Sequence, residues 1–274
     1  MTESFGGKTV IVTGGGRGIG RGVAEAFAEA GANVMVAGRT QSYLDDTVDA
    51  LIAAGGTAQS HALDVKDKAE CIALVAATVE RFGGIDVIVH SAADIPHGGL
   101  GAVSDDAMEN GMASIAKAAW WLLDAARPYL VAARDGGRFI AISSVNGPVT
   151  MVHGLTAYGM AKSALDALIR GAALDLAGEN ITVNAIVPGF IASARARDVM
   201  GDDGIRDYGA TCPVGRAGTP ADIAHACFFL ASARASFITG TNVKVDGGAT
   251  LSTSPRGGIL DSRLQEQREP QSGE

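Results

Sequence analysis

Residues 9–20 read TVIVTGGGRGIG, a β-branched apolar run that passes straight into a glycine-rich turn. TVIVT at 9–13 has the length and composition of a buried strand. GIGRGVAEAFAEAG at 18–31 has the pattern of an amphipathic helix closed by Gly31. A backbone that must approach a phosphate needs this succession of strand, glycine turn and helix. Glycines keep side chains out of the contact, and the helix start offers unpaired N–H groups and the positive end of its dipole. Turns use glycine for other reasons too, so the placement between the first strand and first helix carries the reading.

Outward from this unit, short apolar runs alternate with helical patterns. NVMVAG (33–38), TAQSHALDV (57–65), IDVIVHSA (85–92), RFIAISS (138–144), ITVNAIVP (181–188) and TNVKVDGG (241–248) read as strands two to seven. Between them lie helices predicted over 43–54, 69–82, 105–133, 157–177 and 221–231, several ended by glycine pairs such as Gly55-Gly56 and Gly83-Gly84. Strands separated by helices require right-handed crossovers. The expected fold is α/β: a single-domain, Rossmann-like, doubly wound fold with a seven-stranded parallel sheet flanked by helices over residues 1–250. Residues 190–219 are polar, charged and glycine-containing, and read as a flap. Residues 251–274 read as a polar tail, loosely ordered unless a partner subunit pins it.

The totals narrow the functional classes. The 274 residues are 47% hydrophobic and 19% charged, enough for a substantial core. A net charge of −8 and a pI near 5.1 argue against nucleic acid or an anionic membrane surface as main partner. Cys71, Cys212 and Cys227 are scattered and odd in number, so neither a disulfide framework nor a metal cluster is indicated. MTESFGGK at the N-terminus is not a signal peptide, and no run approaches the roughly 18 apolar residues of a membrane helix. A cytoplasmic location is the expectation.

At the tip of the second strand an Asp or Glu would hold a ribose 2′-hydroxyl, whereas an Arg accommodates a 2′-phosphate. The strand ends AGRT, with Arg39 at the tip, and Arg17 within the glycine loop is a second guanidinium aimed at the same spot. NADP(H) is therefore favoured over NAD(H). Gly14, Gly18, Ile19 and Gly20 would line the pyrophosphate. Asp64, followed by Val65, would accept from an adenine amino group or else cap the next helix.

AYGMAK at 157–162 places Tyr158 and Lys162 on one helix face, about one turn apart. Taken alone this is an ordinary surface pair. Joined in order to TGGGRGIG, LDV (63–65), ISS (142–144), VNAIVPG (183–189), PVGRAGTPADIA (213–224) and ITGTNVKVDGG (238–248), it resembles the short-chain dehydrogenase/reductase family, in its main, ketoacyl-reductase-like group. The resemblance covers about residues 6–250. It implies that Tyr158 exchanges a proton with the substrate oxygen, that Lys162 lowers the Tyr158 pKa and holds the nicotinamide ribose, and that Ser144 orients the substrate. Ser143 is the alternative should the register slip by one. Ser91 and Ala92 would meet the cofactor ribose through their backbone, and Pro188, Gly189, Ile191 and Ser193 the nicotinamide carboxamide. A homotetramer or homodimer built on the long helix and the lysine-bearing helix is also implied.

Two departures from the family stand out. HSAA at 90–93 replaces the usual Asn-Asn-Ala-Gly, and Ile115, with Ser114 beside it, stands where an asparagine commonly holds a water behind the lysine. His97 and His153 fall in loops flanking the substrate space and are candidate substrate contacts. Gly98, Gly99, Leu100, Val149, Met151 and Leu155 in the same loops suggest an apolar or bulky ketone. The expected activity is NADP(H)-dependent interconversion of a secondary alcohol and a ketone. The rivals are a C=C reductase on the same fold and a catalytically weak nucleotide-binding scaffold.

Overall fold

The computed structural model describes residues 4–251; the predicted tail from residue 252 onward lies outside the described residues. Seven strands form one parallel sheet: β1 (Thr9–Thr13), β2 (Asn33–Gly38), β3 (Thr57–Ala62), β4 (Val87–His90), β5 (Gly137–Ile142), β6 (Ile181–Pro188) and β7 (Asn242–Val245). Their order is β3-β2-β1-β4-β5-β6-β7. The chain therefore leaves β1 toward one edge of the sheet and returns beside β1 at β4. That reversal opens a crevice at the carboxyl ends of β1 and β4, where ligands bind in such sheets.

Every residue of β1, β4, β5 and β6 is buried, as expected for strands covered on both faces. Alternation sends Ile11, Ile88, Phe139 and Val183 into one core and Val10, Val12, Ile140 and Ile186 into the other. The first core is covered by α3 (Lys68–Phe82), α5 (Ala118–Ala132) and α6 (Thr156–Leu176). The second is covered by α1 (Gly18–Glu29), α2 (Gln41–Ala53) and α8 (Pro220–Ala231). Each fully buried Ile, Val or Phe on these faces contributes about 1.5–3 kcal/mol relative to exposure.

The structure departs from the sequence reading in two places. The long helix over 105–133 is not uniform: α4 (Asp105–Met112) runs into a π-helical turn, Ala113–Lys117, before α5. A π turn inserts an extra residue and rotates all that follows. The 190–219 segment contains a helix, α7 (Ala194–Thr211), capped by the Ser193 hydroxyl and broken at Gly201, where φ is 67°. Apolar periodicity did not reveal it because most of its described residues are exposed; Tyr208 lies against Phe190 with ring centroids 4.3 Å apart.

Candidate active site

A cleft of about 400 Å³ opens at the carboxyl ends of the central strands. The glycine loop forms its floor. Gly14 has φ of 69°, and a Cβ there would lie 2.9 Å from the Ala92 nitrogen, so the loop touches the segment after β4 backbone to backbone. A Cβ on Gly20 would meet the Gly14 carbonyl oxygen at 2.2 Å. Only glycine lets α1 start this close to β1. Arg17, the N-cap of α1, supplies no side-chain acceptor to the helix amides. The donor set and the cleared backbone fit a dinucleotide pyrophosphate.

Gly14, Arg17, Gly18, Ile19, Gly20, Arg39, Asp64, Val65, Ser91, Ala92, Ser144, Tyr158, Lys162, Pro188, Gly189, Ile191 and Ser193 all line this one cleft. Sequence segments up to 179 residues apart, from Gly14 to Ser193, are thus brought together. At the β2 end, Arg17 lies over the Tyr43 ring, 5.5 Å from its centroid. The Arg39 guanidinium is paired with Asp94, with Nη2 2.8 Å from Oδ1. Asp64 does not cap α3. Asp67 does, accepting from the Ala69 and Glu70 amides, while Asp64 Oδ1 accepts from the Lys66 amide.

At the other end, β5 and α6 deliver the reactive side chains. Ser143 and Ser144 part company after β5. Ser143 is buried and donates its hydroxyl to Asp166 Oδ1 at 2.5 Å, whereas Ser144 is half-buried, and an interaction with its hydroxyl lowers the Tyr158 pKa. The two serines thus face different partners, Ser143 meeting Asp166 and Ser144 meeting Tyr158. Lys162 is buried, its Nζ donating to the Ile142 carbonyl at 2.6 Å and lying 5.5 Å from the Tyr158 ring centroid.

Burial raises the Tyr158 pKa above its ordinary value, offset in part by a hydrogen bond with Ser144. Lys162 itself is brought down to about 7 by burial, with Asp166 pulling the other way. Tyr158 is therefore a protonated phenol at neutral pH, ready to donate. Asp166, one turn beyond Lys162, is pushed above the ordinary carboxylate range by burial, while hydrogen bonds from Ser143 and Asn242 oppose that rise.

The two departures occupy linked positions. His90 Nδ1 faces the Thr13 hydroxyl at 2.9 Å and Nε2 faces the Ser114 carbonyl at 3.1 Å. Thr13 Oγ1 already accepts from the Ser91 and Ala92 amides. With those lone pairs used, Thr13 donates to His90 Nδ1, and Nε2–H donates to Ser114. Burial and the nearby Lys162 lower the His90 pKa to about 4, which keeps that neutral tautomer. Ile115 points away from the cleft into the core, fully buried, whereas Ser114 lines the cleft. The Ser114 hydroxyl donates to the Gly111 carbonyl and accepts from the Asp94 amide.

His97 and His153 are exposed and do not line the cleft, although their loops are joined by the Gly98 amide donating to the Gly154 carbonyl at 2.8 Å. The sequence reading missed Asp94, Tyr43 and Phe190, which do line it. Asp94 carried a usable signal, an acidic residue four positions beyond the end of a central strand. Tyr43 and Phe190 carried none.

A family profile described as enoyl-(acyl carrier protein) reductase matches residues 14–250. The chain is 38% identical over 245 residues to an uncharacterised oxidoreductase of Mycobacterium tuberculosis, covering 89% of this chain and 92% of that one. It is 34% identical over 249 residues to a 2,5-dichloro-2,5-cyclohexadiene-1,4-diol dehydrogenase of Sphingobium indicum, covering 90% and 98%. The solved structure of a short-chain type dehydrogenase/reductase from Mycobacterium ulcerans superposes with a TM-score of 0.85 at 32% identity, covering 96% of each chain. The parallel sheet with its glycine-loop cleft defines a dinucleotide-dependent α/β enzyme. The chain belongs to the short-chain dehydrogenase/reductase family and is an NAD(P)-dependent oxidoreductase.

Proposed function

We propose that this enzyme interconverts a secondary alcohol and a ketone with NADP(H). The observation that carries the reading is the meeting of Ser144, Tyr158 and Lys162 at one end of the cleft whose other end holds the glycine loop. A bound nicotinamide would supply or take up the hydride at carbon. Ser144 donates a hydrogen bond to the carbonyl oxygen and orients it. In ketone reduction the Tyr158 O–H bond breaks, its proton passing to that oxygen as the new C–H bond forms; alcohol oxidation runs the transfer backwards. The buried Lys162 ammonium stabilises the phenolate left behind and holds the ribose hydroxyls. Ser91, Ala92, Pro188, Gly189, Ile191 and Ser193 line the walls that fix the ring. Preference for NADP(H) rests on Arg17 and Arg39 in the cleft and on the absence of an acidic residue at the tip of β2.

The likeness to a cyclohexadienediol dehydrogenase supports alcohol–ketone chemistry. The match to an enoyl-(acyl carrier protein) reductase family profile favours a second reading, reduction of an activated C=C bond. Matched cyclic enone and saturated ketone substrates, followed by NADPH and NADH absorbance, separate the two. Turnover of the saturated ketone that collapses in Tyr158→Phe supports the first reading. Turnover of the enone alone, yielding the saturated ketone, overturns it.

Assembly into a homotetramer or homodimer is part of the same proposal. Trp120 on α5, Leu174 on α6 and Phe237 before β7 are exposed apolar side chains that a partner copy would cover. Light scattering on the purified protein tests it, a monomer counting against. A cytoplasmic location is proposed with it; among the described residues no helix is long and apolar enough to cross a membrane.

A further inference from the structure

The strand order places β2 and β4 on either side of β1. Arg39 directly follows β2, and Asp94 lies four residues beyond the end of β4. Their ion pair therefore spans the carboxyl end of β1, where the glycine loop departs, and both side chains line the cofactor cleft. Asp94 is not a loose surface acid. Its amide is pinned to the Ser114 hydroxyl at 2.9 Å, and its side chain is only 24% exposed.

Asp94 binds two cations. Oδ1 is 2.8 Å from Arg39 Nη2, Oδ2 is 3.4 Å from Arg39 Nη1, and Oδ2 is 3.5 Å from Lys66 Nζ. Lys66 is held a second time by Asp64, at 3.4 Å. Arg39, Lys66, Asp64 and Asp94 thus form a cluster of balanced charge across the adenosine end of the cleft. A ribose carrying only hydroxyls meets no electrostatic conflict there. A 2′-phosphate brings close to two negative charges, and it must either draw Arg39 away from Asp94 or sit beside that carboxylate.

We propose that Asp94 is a residue determining cofactor selectivity, competing with the 2′-phosphate for Arg39 and Lys66 and so narrowing the preference for NADP(H) over NAD(H). The proposal rests on the reading of Arg39 as the 2′-phosphate partner. An exposed ion pair is weak, so the competition is reversible: the phosphate can win it, but with reduced affinity.

The test is a double-mutant cycle on equilibrium binding, measuring Kd for NADP+ and NAD+ with wild type, Asp94→Asn, Arg39→Ala and the double variant. Asparagine keeps the size of the side chain and the backbone contact to Ser114 but removes the charge. Asp94→Asn is expected to tighten NADP+ by about three- to fivefold, the scale of one exposed ion pair, and to leave NAD+ within about twofold. That gain is expected to shrink in the Arg39→Ala background, where only the Lys66 contact remains to be released. Equal shifts for both dinucleotides, weaker NADP+ binding by Asp94→Asn, or a gain undiminished without Arg39 would each overturn the proposal. Arg39→Ala binding NADP+ as tightly as wild type overturns the NADP reading itself. Weakened NADP+ binding by Arg39→Ala, together with an unresponsive Asp94→Asn, overturns the Asp94 assignment alone.

Discussion

The two ends of the cleft handle charge in opposite ways. At the adenosine end, Arg39, Lys66, Asp64 and Asp94 are partly exposed and neutralise one another through ion pairs of 2.8–3.5 Å. At the reacting end, Lys162 and His90 are buried with neutral hydrogen-bond partners. Solvent screens the first group, so its ion pairs are individually weak. Burial penalises charge in the second group and lowers the pKa of Lys162 to about 7 and of His90 to about 4.

The largest expected effect breaks the buried end outright. Tyr158→Phe removes the only O–H that the proposed mechanism transfers, and should lower kcat about 10²–10⁴-fold. Cofactor Kd should stay near wild type, because the adenosine end is untouched. Steady-state kinetics with a responsive ketone, beside a binding titration, check both halves.

Replacing His90 probes the buried hydrogen bonds without touching the proton donor. His90→Leu leaves the Ser114 carbonyl and the Thr13 hydroxyl without their partner, which should cost about 1–3 kcal/mol in chemical denaturation. His90→Asn, able to donate and accept, should recover part of that loss. The wild-type histidine is neutral when folded, with a pKa lowered to about 4 from an unfolded value of 6.5. Between those values the unfolded chain binds the extra proton, so the His90 contribution declines as pH falls from about 6.5 toward 4. A pH–stability profile in which His90→Asn loses the same increment as wild type would count against this account.

Lys162 acts at the opposite side of neutrality. Its folded pKa, about 7, lies below the unfolded 10.5, so from pH 7 upward the unfolded state retains a proton that the native state has released. The cost of burying the cation is full below pH 7 and fades above it. The stability of the apo-enzyme relative to Lys162→Met should therefore rise from pH 7 to about pH 9. Thermal melts of both proteins across that range measure it, and parallel profiles would refute it.

The mildest perturbation is salt. Raising ionic strength from about 0.01 to 0.15 M shortens the screening length from about 30 to 8 Å. NADP+ affinity should weaken by a few fold more than NAD+ affinity, while kcat at saturating cofactor stays nearly constant. A kcat that tracked salt as steeply as the NADP+ Kd would erase the contrast between the ends.

The legibility of the protein in its sequence follows the same division. The strands β1, β2 and β6 fell where the apolar runs placed them, because buried parallel strands read as continuous apolar segments. Tyr158 and Lys162 stood out because the Tyr-x-x-x-Lys spacing is a local pattern, whereas Ser144 was singled out through the family resemblance with Ser143 as its alternative; all three line the cleft. The orientation of Ser114 and Ile115 was not legible: within the π turn over 113–117 Ser114 lines the cleft and Ile115 enters the core, and a sequence register does not say which neighbour faces the site. The loop histidines His97 and His153 are exposed and do not line this cleft, a placement that loop sequence does not specify.

By itself the sequence determined the alternation of strands and helices and the glycine turn between β1 and α1, since each is encoded within a few consecutive residues, and it offered Ser144, Tyr158 and Lys162 as candidates through the family resemblance. Only the tertiary structure decided that Arg39 meets Asp94 across 55 residues, that His90 bridges Thr13 and Ser114, and that Ser143 turns to Asp166 while Ser144 adjoins Tyr158. Those pairings depend on which strands lie side by side and on how much water remains between them, and both are set by the packing of the sheet.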